Sequence, residues 1–217
     1  VTASSDPQII DRFRKIASAS VADAVEQHGH RGYLAGRVGQ IRPGKIVGPA
    51  VTVLEEPSDT VEPPTHALDA IDASPAGSVL CIAAGGADVA VFGGLMAAGA
   101  VVNELAGVVL DAAVRDVEEI TRDYPDFPVY AAGKVSATTV GRYRSVSSNQ
   151  PVLLGDVEVH PGDLIVADTD GVVRVPAALV EQVLVTAEEI ERRESEQTRL
   201  ILEARSLKTG LELYNRV

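Results

Sequence analysis

Apolar and polar positions alternate along this chain in two rhythms, and the switches between them mark its elements. Ile9, Ile10, Phe13 and Ile16 share one face of a helix that starts at Asp6-Pro7, with Arg12, Arg14 and Lys15 elsewhere. SVADAVEQHG predicts a second helix, capped by Ser18 or Ser20, carrying Asp23 in its first turn and stopped at Gly29. From Gly36 to Val53 the rhythm becomes that of strands. The turn Arg42-Pro43-Gly44 leads into KIVGPAVTV, where Val47, Val51 and Val53 are β-branched and Gly48-Pro49 marks an edge or a bulge. EEPSDTVEPPT, residues 55–65, reads as a polar, proline-rich loop. His66 to Ser74 then predicts a helix, Pro75-Ala76-Gly77 a turn, SVLCIAA a buried strand and GGAD (85–88) a loop.

The stretch from Phe92 to Asp116 organises the rest. It is almost free of charge until it ends on Arg115 and Asp116. Gly93-Gly94 reads as a tight turn, Leu95 to Leu105 as a buried helix, and Val108 to Leu110 as a buried strand. That strand delivers Asp111, Arg115 and Asp116 to its carboxyl end, where open α/β sheets bind ligands. The turn before the helix offers the N–H groups of Leu95 and Met96 to a carboxylate or phosphate. Arg115 can grip the same anion with two charge-assisted hydrogen bonds. Asp116 either holds a hard divalent cation such as Mg²⁺ or neutralises Arg115. On residues alone, an ordinary helix–strand unit ending in a local ion pair explains the pattern as well.

Downstream, VEEITRDY predicts a helix and FPVYAAG a strand, followed by a polar segment from Lys134 to Gln150. GDVEVH and LIVAD, joined by the turn HPGD (160–163), predict a β-hairpin, and DTDG (168–171) turns the chain into VVRVP. Asp168 and Asp170 lack the further ligands of a calcium loop, so a tight turn is the reading. A long helix begins after Pro176, dense in Glu188, Glu189, Glu191, Arg192, Arg193, Glu194 and Glu196. Most of it is a solvated, ion-paired face, and its apolar end suits a neighbouring subunit.

Composition narrows the function. The 217 residues carry a net charge of −12, which argues against nucleic acid or an anionic membrane as partner. With no tryptophan there is little to build an aromatic stacking platform. A lone cysteine, Cys81, sits in an apolar run and reads as a core residue. His28 and His30 have no nearby partner at metal-ligand spacing and read as helix-end residues. The opening VTASSDPQII has neither block of a signal peptide, and the least polar window, Val89 to Val102, is too short for a membrane span, so a cytoplasmic protein is expected. The glycine pairs 85-86 and 93-94 do not have dinucleotide-fingerprint spacing, and neither a phosphate loop nor a nucleophile elbow is present.

Three blocks in order, GPAVTV, GGLMAAGAVVNELAGVVLDAAVRD and HPGDLIVADTDGVVRVP, resemble the RraA-like family. That family includes the regulator of ribonuclease E activity and the class II 4-hydroxy-4-methyl-2-oxoglutarate aldolases; an older label is dimethylmenaquinone methyltransferase-like, although no glycine-rich loop for S-adenosylmethionine is present here. The resemblance implies an α/β fold, a single β/β/α swivelling-type domain over residues 1–217 with a charged terminal helix from about 177. It further implies a homotrimer, or a hexamer of two trimers, with sites between subunits. In the aldolases the arginine and aspartate matching Arg115 and Asp116 grip a small 2-oxo acid and bind Mg²⁺ or Mn²⁺. Backbone amides matching Gly94, Leu95 and Met96 hold its carboxylate, and a glutamate of the neighbour's last helix, Glu191 or Glu194 here, joins the metal's water network. The implied activity is retro-aldol cleavage to pyruvate, with oxaloacetate decarboxylation alongside. Two positions depart: the family's D-G-x-V-R-D is DAAVRD here, with Ala112 for glycine, and the aldolases' G-[DE]-L is GGL, so Gly94 stands where they have an acid. Asp88 and Glu104 are the candidates to replace it. The alternative implied by that loss is a non-catalytic oligomeric binding protein of the ribonuclease-regulator type.

Overall fold

The computed structural model describes residues 3–35 and 37–211; Gly36, where the strand region is expected to open, lies outside them. Helix α1 (Pro7–Phe13) starts as its sequence suggests, with the Asp6 carboxylate accepting the Gln8 N–H at 2.8 Å. Helix α2 (Ser18–Gln27) corrects the expected cap. Neither Ser18 nor Ser20 caps it, and Asp23 falls beyond its first turn. Asp168 instead accepts the Ser18 N–H and hydroxyl at 2.8 and 2.5 Å, and Glu191 accepts the Ala17 N–H and the Ser20 hydroxyl, both at 2.9 Å. Carboxylates far along the chain satisfy the orphan donors of this helix end.

Strand β1 (Gly39–Arg42) is followed by a run of strand–helix–strand units: β2 (Ile46–Pro57), α3 (Thr65–Ala73), β3 (Val79–Phe92), α4 (Gly94–Val102), β4 (Gly107–Val114), α5 (Val117–Asp123) and β5 (Val129–Lys134). Strands β2 to β5 are parallel neighbours, as crossover helices require. Then come β6 (Tyr143–Ser148), β7 (Val152–Leu154), β8 (Val157–Val159), β9 (Leu164–Asp168), β10 (Gly171–Val175), the long α6 (Val180–Ala204) and a short α7 (Leu207–Leu211). The main sheet runs β1-β5-β4-β3-β2-β9-β10, with β6 also on β2, and β7 and β8 form a separate ribbon.

Three corrections follow. GDVEVH does not form a hairpin with LIVAD: β8 pairs with β7 across Gly155-Asp156, while β9 pairs with β2 and β10. GGAD is not a loop but part of β3, where Gly85 (φ +61°) and Gly86 (φ +74°) make a bulge, so that β3 spends Ala83 to Phe92 covering Asp111 to Val114. Glu55 and Glu56 belong to β2 rather than to the loop after it. Gly48-Pro49 is where β2 leaves β9 and takes up β3, which fits a residue with no N–H to give to a ladder.

Alternation along the strands splits the core. Leu80, Ile82, Leu110 and Val129 face α3, α4 and α5, whereas Val79, Cys81, Val109 and Tyr130 face the ribbon's Val152, Leu154, Val157 and Val159. A further cluster joins β9 and β10 to α1, α2 and α6 through Phe13, Val25, Val166, Val173 and Leu184. Among the described residues no helix is long and apolar enough to cross a membrane.

Candidate active site

The turn Phe92–Gly94 and the end of β4 meet at one point. Gly93 opens α4 without a side-chain cap, and Ala97 is the first residue of that helix to donate back, to Gly93 O at 2.9 Å. The Gly94 N–H is taken by Asp116 Oδ2 at 3.0 Å. The N–H groups of Leu95 and Met96 therefore remain the donors of this helix start. Arg115 is anchored through its own N–H to Phe92 O at 3.0 Å, and its Nε lies 3.5 Å from Asp116 Oδ2.

Asp116 has φ +56° and ψ +30°, the left-handed region that a non-glycine residue enters only at some cost. That conformation turns its carboxylate away from its own helix, α5, which it does not cap, and toward the start of α4. Gly93 makes the approach possible: a Cβ there would lie 2.7 Å from Asp116 Oδ2 and 3.1 Å from Arg115 Cγ. Arg115 and Asp116 are each about two-fifths exposed, so both are open to a ligand.

A fourth group completes the cluster. Glu119, in the first turn of α5, brings Oε1 to 2.7 Å and Oε2 to 3.3 Å from the point a Cβ on Gly94 would occupy. Sequence reading gave VEEITRDY no role beyond a helix, although Asp116 followed three residues later by Glu119 is the spacing of a helix N-terminus and could have drawn attention.

The pocket beside this cluster, about 240 Å³, is walled by Pro63, Pro64, Leu68, Phe92, Met96 and Val140 with Arg115 and Asp116 at its base. Pro63 and Pro64 come from the loop after β2, and Thr138 to Val140 from the polar segment after β5. The two loops are tied by Gly141 N–H to Thr60 O at 3.0 Å and Ser58 N–H to Arg142 O at 2.9 Å. A second concavity shares Arg115 and Asp116 but is lined by Lys134, Val135 and Ser136.

A family profile described as RraA-like, Aldolase/RraA, matches residues 18–174. The chain belongs to the RraA-like family. Protein DlpA of Legionella pneumophila is 31% identical over 180 residues, 82% of this chain but 29% of that protein, so the chain spans less than a third of DlpA's length. A protein of Halalkalibacterium halodurans, provisionally named a 4-hydroxy-4-methyl-2-oxoglutarate aldolase, is 30% identical over 200 residues, 88% of each chain. Among solved structures, Streptomyces coelicolor RraAS2, described as an unusual member of the RNase ES inhibitor RraA protein family, superposes with a TM-score of 0.81 at 26% identity, covering 88% of this chain and 96% of that one. The RraA-like family thus joins relatives named as aldolases and as inhibitors of RNA processing.

The other candidates from the sequence lie elsewhere. Asp111 is not at the strand end with Arg115. It is buried mid-strand with Oδ1 lacking a hydrogen-bond partner, and burial pushes its pKa up. Glu104 (φ +57°) follows the opposite end of α4 from Gly94, about 15 Å away at 1.5 Å per residue. Asp88 lines neither concavity. Within this chain neither replaces an acid at position 94. Glu191 is committed to the start of α2 through Ala17 and Ser20, whereas Glu194 is exposed on α6. Among the described residues no three His, Cys, Asp or Glu side chains gather as a metal cage.

One buried acid escaped the sequence reading altogether. Glu55 is 2% exposed, neither carboxylate oxygen has a hydrogen-bond partner, and burial raises its pKa to about 7.

Proposed function

We propose that this protein is a divalent-metal-dependent lyase that cleaves a 4-hydroxy-2-oxo acid to pyruvate, with oxaloacetate decarboxylation as a side activity. The observation that carries this reading is the convergence of Arg115, Asp116, Glu119 and the open helix start at Gly94 on one point.

The donor set fits Mg²⁺ or Mn²⁺. Hard cations of this size are held by one or two carboxylates and keep several waters, so a three-residue cage is not required. Asp116 would hold the ion, with its carboxylate already oriented by the Gly94 N–H, and Glu119 stands close enough to the same turn to bond its water. Bound there, the metal supplies Lewis-acid stabilisation of the negative charge that develops on the 2-oxo group.

The chain's own residues do the rest. Arg115 and the N–H groups of Leu95 and Met96 receive the substrate carboxylate and fix its plane. Glu119, directly or through a water, takes the proton from the 4-hydroxyl as the C3–C4 bond breaks. The carbonyl product leaves with the oxygen, and the electron pair stays on the pyruvate fragment. The proton then returns to C3. Decarboxylation of oxaloacetate leaves the same charge on the same fragment and needs only the final protonation. Glu119 thus stands in for the acid absent at position 94.

Self-association into a trimer or hexamer, in the cytoplasm, completes this reading, with Glu194 of a neighbouring subunit as the α6 candidate for the metal's water network. A second reading, a non-catalytic binding protein, draws on the rim of the pocket, where Leu95 (89% exposed) offers apolar surface to a protein partner. The deciding experiment measures pyruvate release from 4-hydroxy-4-methyl-2-oxoglutarate and from oxaloacetate with Mg²⁺, Mn²⁺ or EDTA. Metal-dependent turnover abolished by Asp116→Asn supports the lyase. No turnover of either substrate together with no binding of pyruvate, and a specific protein partner retained on purified protein, supports the second reading.

A further inference from the structure

The pocket next to Arg115 has an uneven chemistry. One end carries every charge it possesses: Arg115 and Asp116, with Glu119 at the same turn. The remainder is mostly apolar, formed by Pro63, Pro64, Leu68, Phe92, Met96 and Val140 with Thr138 and Thr139 as its polar members, and Arg115 is the one cation among its described lining residues. The wall is built rather than incidental. The loops carrying Pro63-Pro64 and Thr138–Val140 are hydrogen-bonded to each other, and Ala90 of β3 holds the second of them through its N–H to Ala137 O at 2.8 Å.

A 2-oxo acid held by its first carboxylate on Arg115 places its distal end against this wall. A second carboxylate there would lose its water, find no cation among the lining residues, and lie in the field of Asp116 and Glu119. A hydrocarbon end would gain by leaving water. Lys134 lines the neighbouring concavity and not this wall, and the Arg142 guanidinium, itself outside the lining, is occupied by the carbonyls of Thr138 and Val140 at 3.2 and 3.4 Å.

We infer that the site selects 2-oxo acids carrying a single carboxylate and an uncharged, branched or extended hydrocarbon end, over dicarboxylic 2-oxo acids. This rests on the reading of the site as a grip for 2-oxo acids, and it adds the class of substrate.

The test uses inert probes that lack a 4-hydroxyl, titrated into the full chain with Mg²⁺ by calorimetry: pyruvate, 2-oxoglutarate and 5-methyl-2-oxohexanoate, in which an isopropyl group replaces the distal carboxylate of 2-oxoglutarate. The expected result is that pyruvate binds and that 5-methyl-2-oxohexanoate binds about tenfold or more tighter than 2-oxoglutarate. Leu68→Arg, on the exposed edge of the wall, should narrow or reverse that ratio; Lys134→Ala should leave the ratio as it is. If pyruvate binds and 2-oxoglutarate is the tighter of the pair, the substrate class is overturned while the lyase reading stands. A ratio that Lys134→Ala shifts in favour of 5-methyl-2-oxohexanoate would equally overturn it, by placing the distal end in the other concavity. Failure of pyruvate itself to bind removes both.

Discussion

The carboxylate of Glu119 fills the space that a side chain on Gly94 would claim, with Oε1 2.7 Å from the would-be Cβ. Glycine at that position is therefore coupled to a glutamate on the next helix. A side chain at position 94 and the Glu119 carboxylate where it now lies cannot share that space, so one of the two must move.

Glu119→Gln should accordingly lower kcat by about 10²–10⁴-fold, the usual worth of a positioned proton-transfer group, and leave pyruvate affinity nearly unchanged. Gly94→Ala should also lower kcat, by pushing Glu119 aside. The informative variant is Gly94→Asp with Glu119→Ala, which moves the acid to the turn; it should recover activity relative to Glu119→Ala alone. Steady-state kinetics on oxaloacetate with Mg²⁺ checks all three.

Asp116, the proposed metal ligand, has a left-handed backbone. Asn tolerates that conformation, so Asp116→Asn should melt near the wild-type temperature and lose metal-dependent turnover. Ala does not, and Asp116→Ala should lose the same turnover and in addition about 1–2 kcal/mol of stability. Thermal melts beside Mg²⁺ titrations separate the two effects.

Glu55 predicts a pH dependence of stability. Its folded pKa of about 7 lies above the usual glutamate value, so the folded state holds its proton while the unfolded state gives it up. Its contribution is complete below the ordinary glutamate pKa, falls as pH rises toward 7, and is lost above it. Glu55→Gln should match wild type in urea near pH 4 to 5 and exceed it at pH 8 by up to about 3 kcal/mol, at roughly 1.4 kcal/mol per pKa unit. Equal midpoints at both pH values would remove Glu55 from the account.

Asp163 is a structural counterpart. It is buried and accepts Arg174 Nε at 2.6 Å, His160 N–H at 2.9 Å and Ala177 N–H at 2.9 Å, joining the turn before β9 to β10 and the approach to α6. Asp163→Ala should cost about 3–5 kcal/mol by leaving Arg174 buried without its partner. Pyruvate affinity of the folded fraction should be untouched, because Asp163 lines neither concavity beside Arg115.

The sequence carried the order of elements well wherever period and punctuation agreed: α1, α3, α4 and α6 fall where their spacing puts them, while β4 runs on past the expected Val108–Leu110 to Val114. It misled where one signal has two physical outcomes. Gly85-Gly86 supplies positive φ, which serves a loop or a bulge equally, and only pairing with β4 decides for the bulge. HPGD specifies a reversal but not a partner, so β8 turned out to pair backward with β7. Arg115, Asp116, Leu95 and Met96 could be brought together on paper because one strand end and one helix start lie within a short stretch. Glu119 could not, because its part depends on the empty space above Gly94, and a missing Cβ is not visible as a contact in a sequence. Pro63, Pro64 and Val140 joined the pocket from segments that read as surface loops, since nothing local records which loops meet.

Strand β2 has an implication for how the chain is made. Its first half, Ile46 to Pro49, finds its β9 partner only in Leu164 to Ala167, more than a hundred residues later. A growing chain on the ribosome, or one cut short after β5, therefore exposes the edge of an apolar strand whose partner does not yet exist. Such edges recruit strands from other molecules. Truncated forms lacking β9 and β10 should accumulate as aggregates, and the opening half of β2 is the segment through which they would stick.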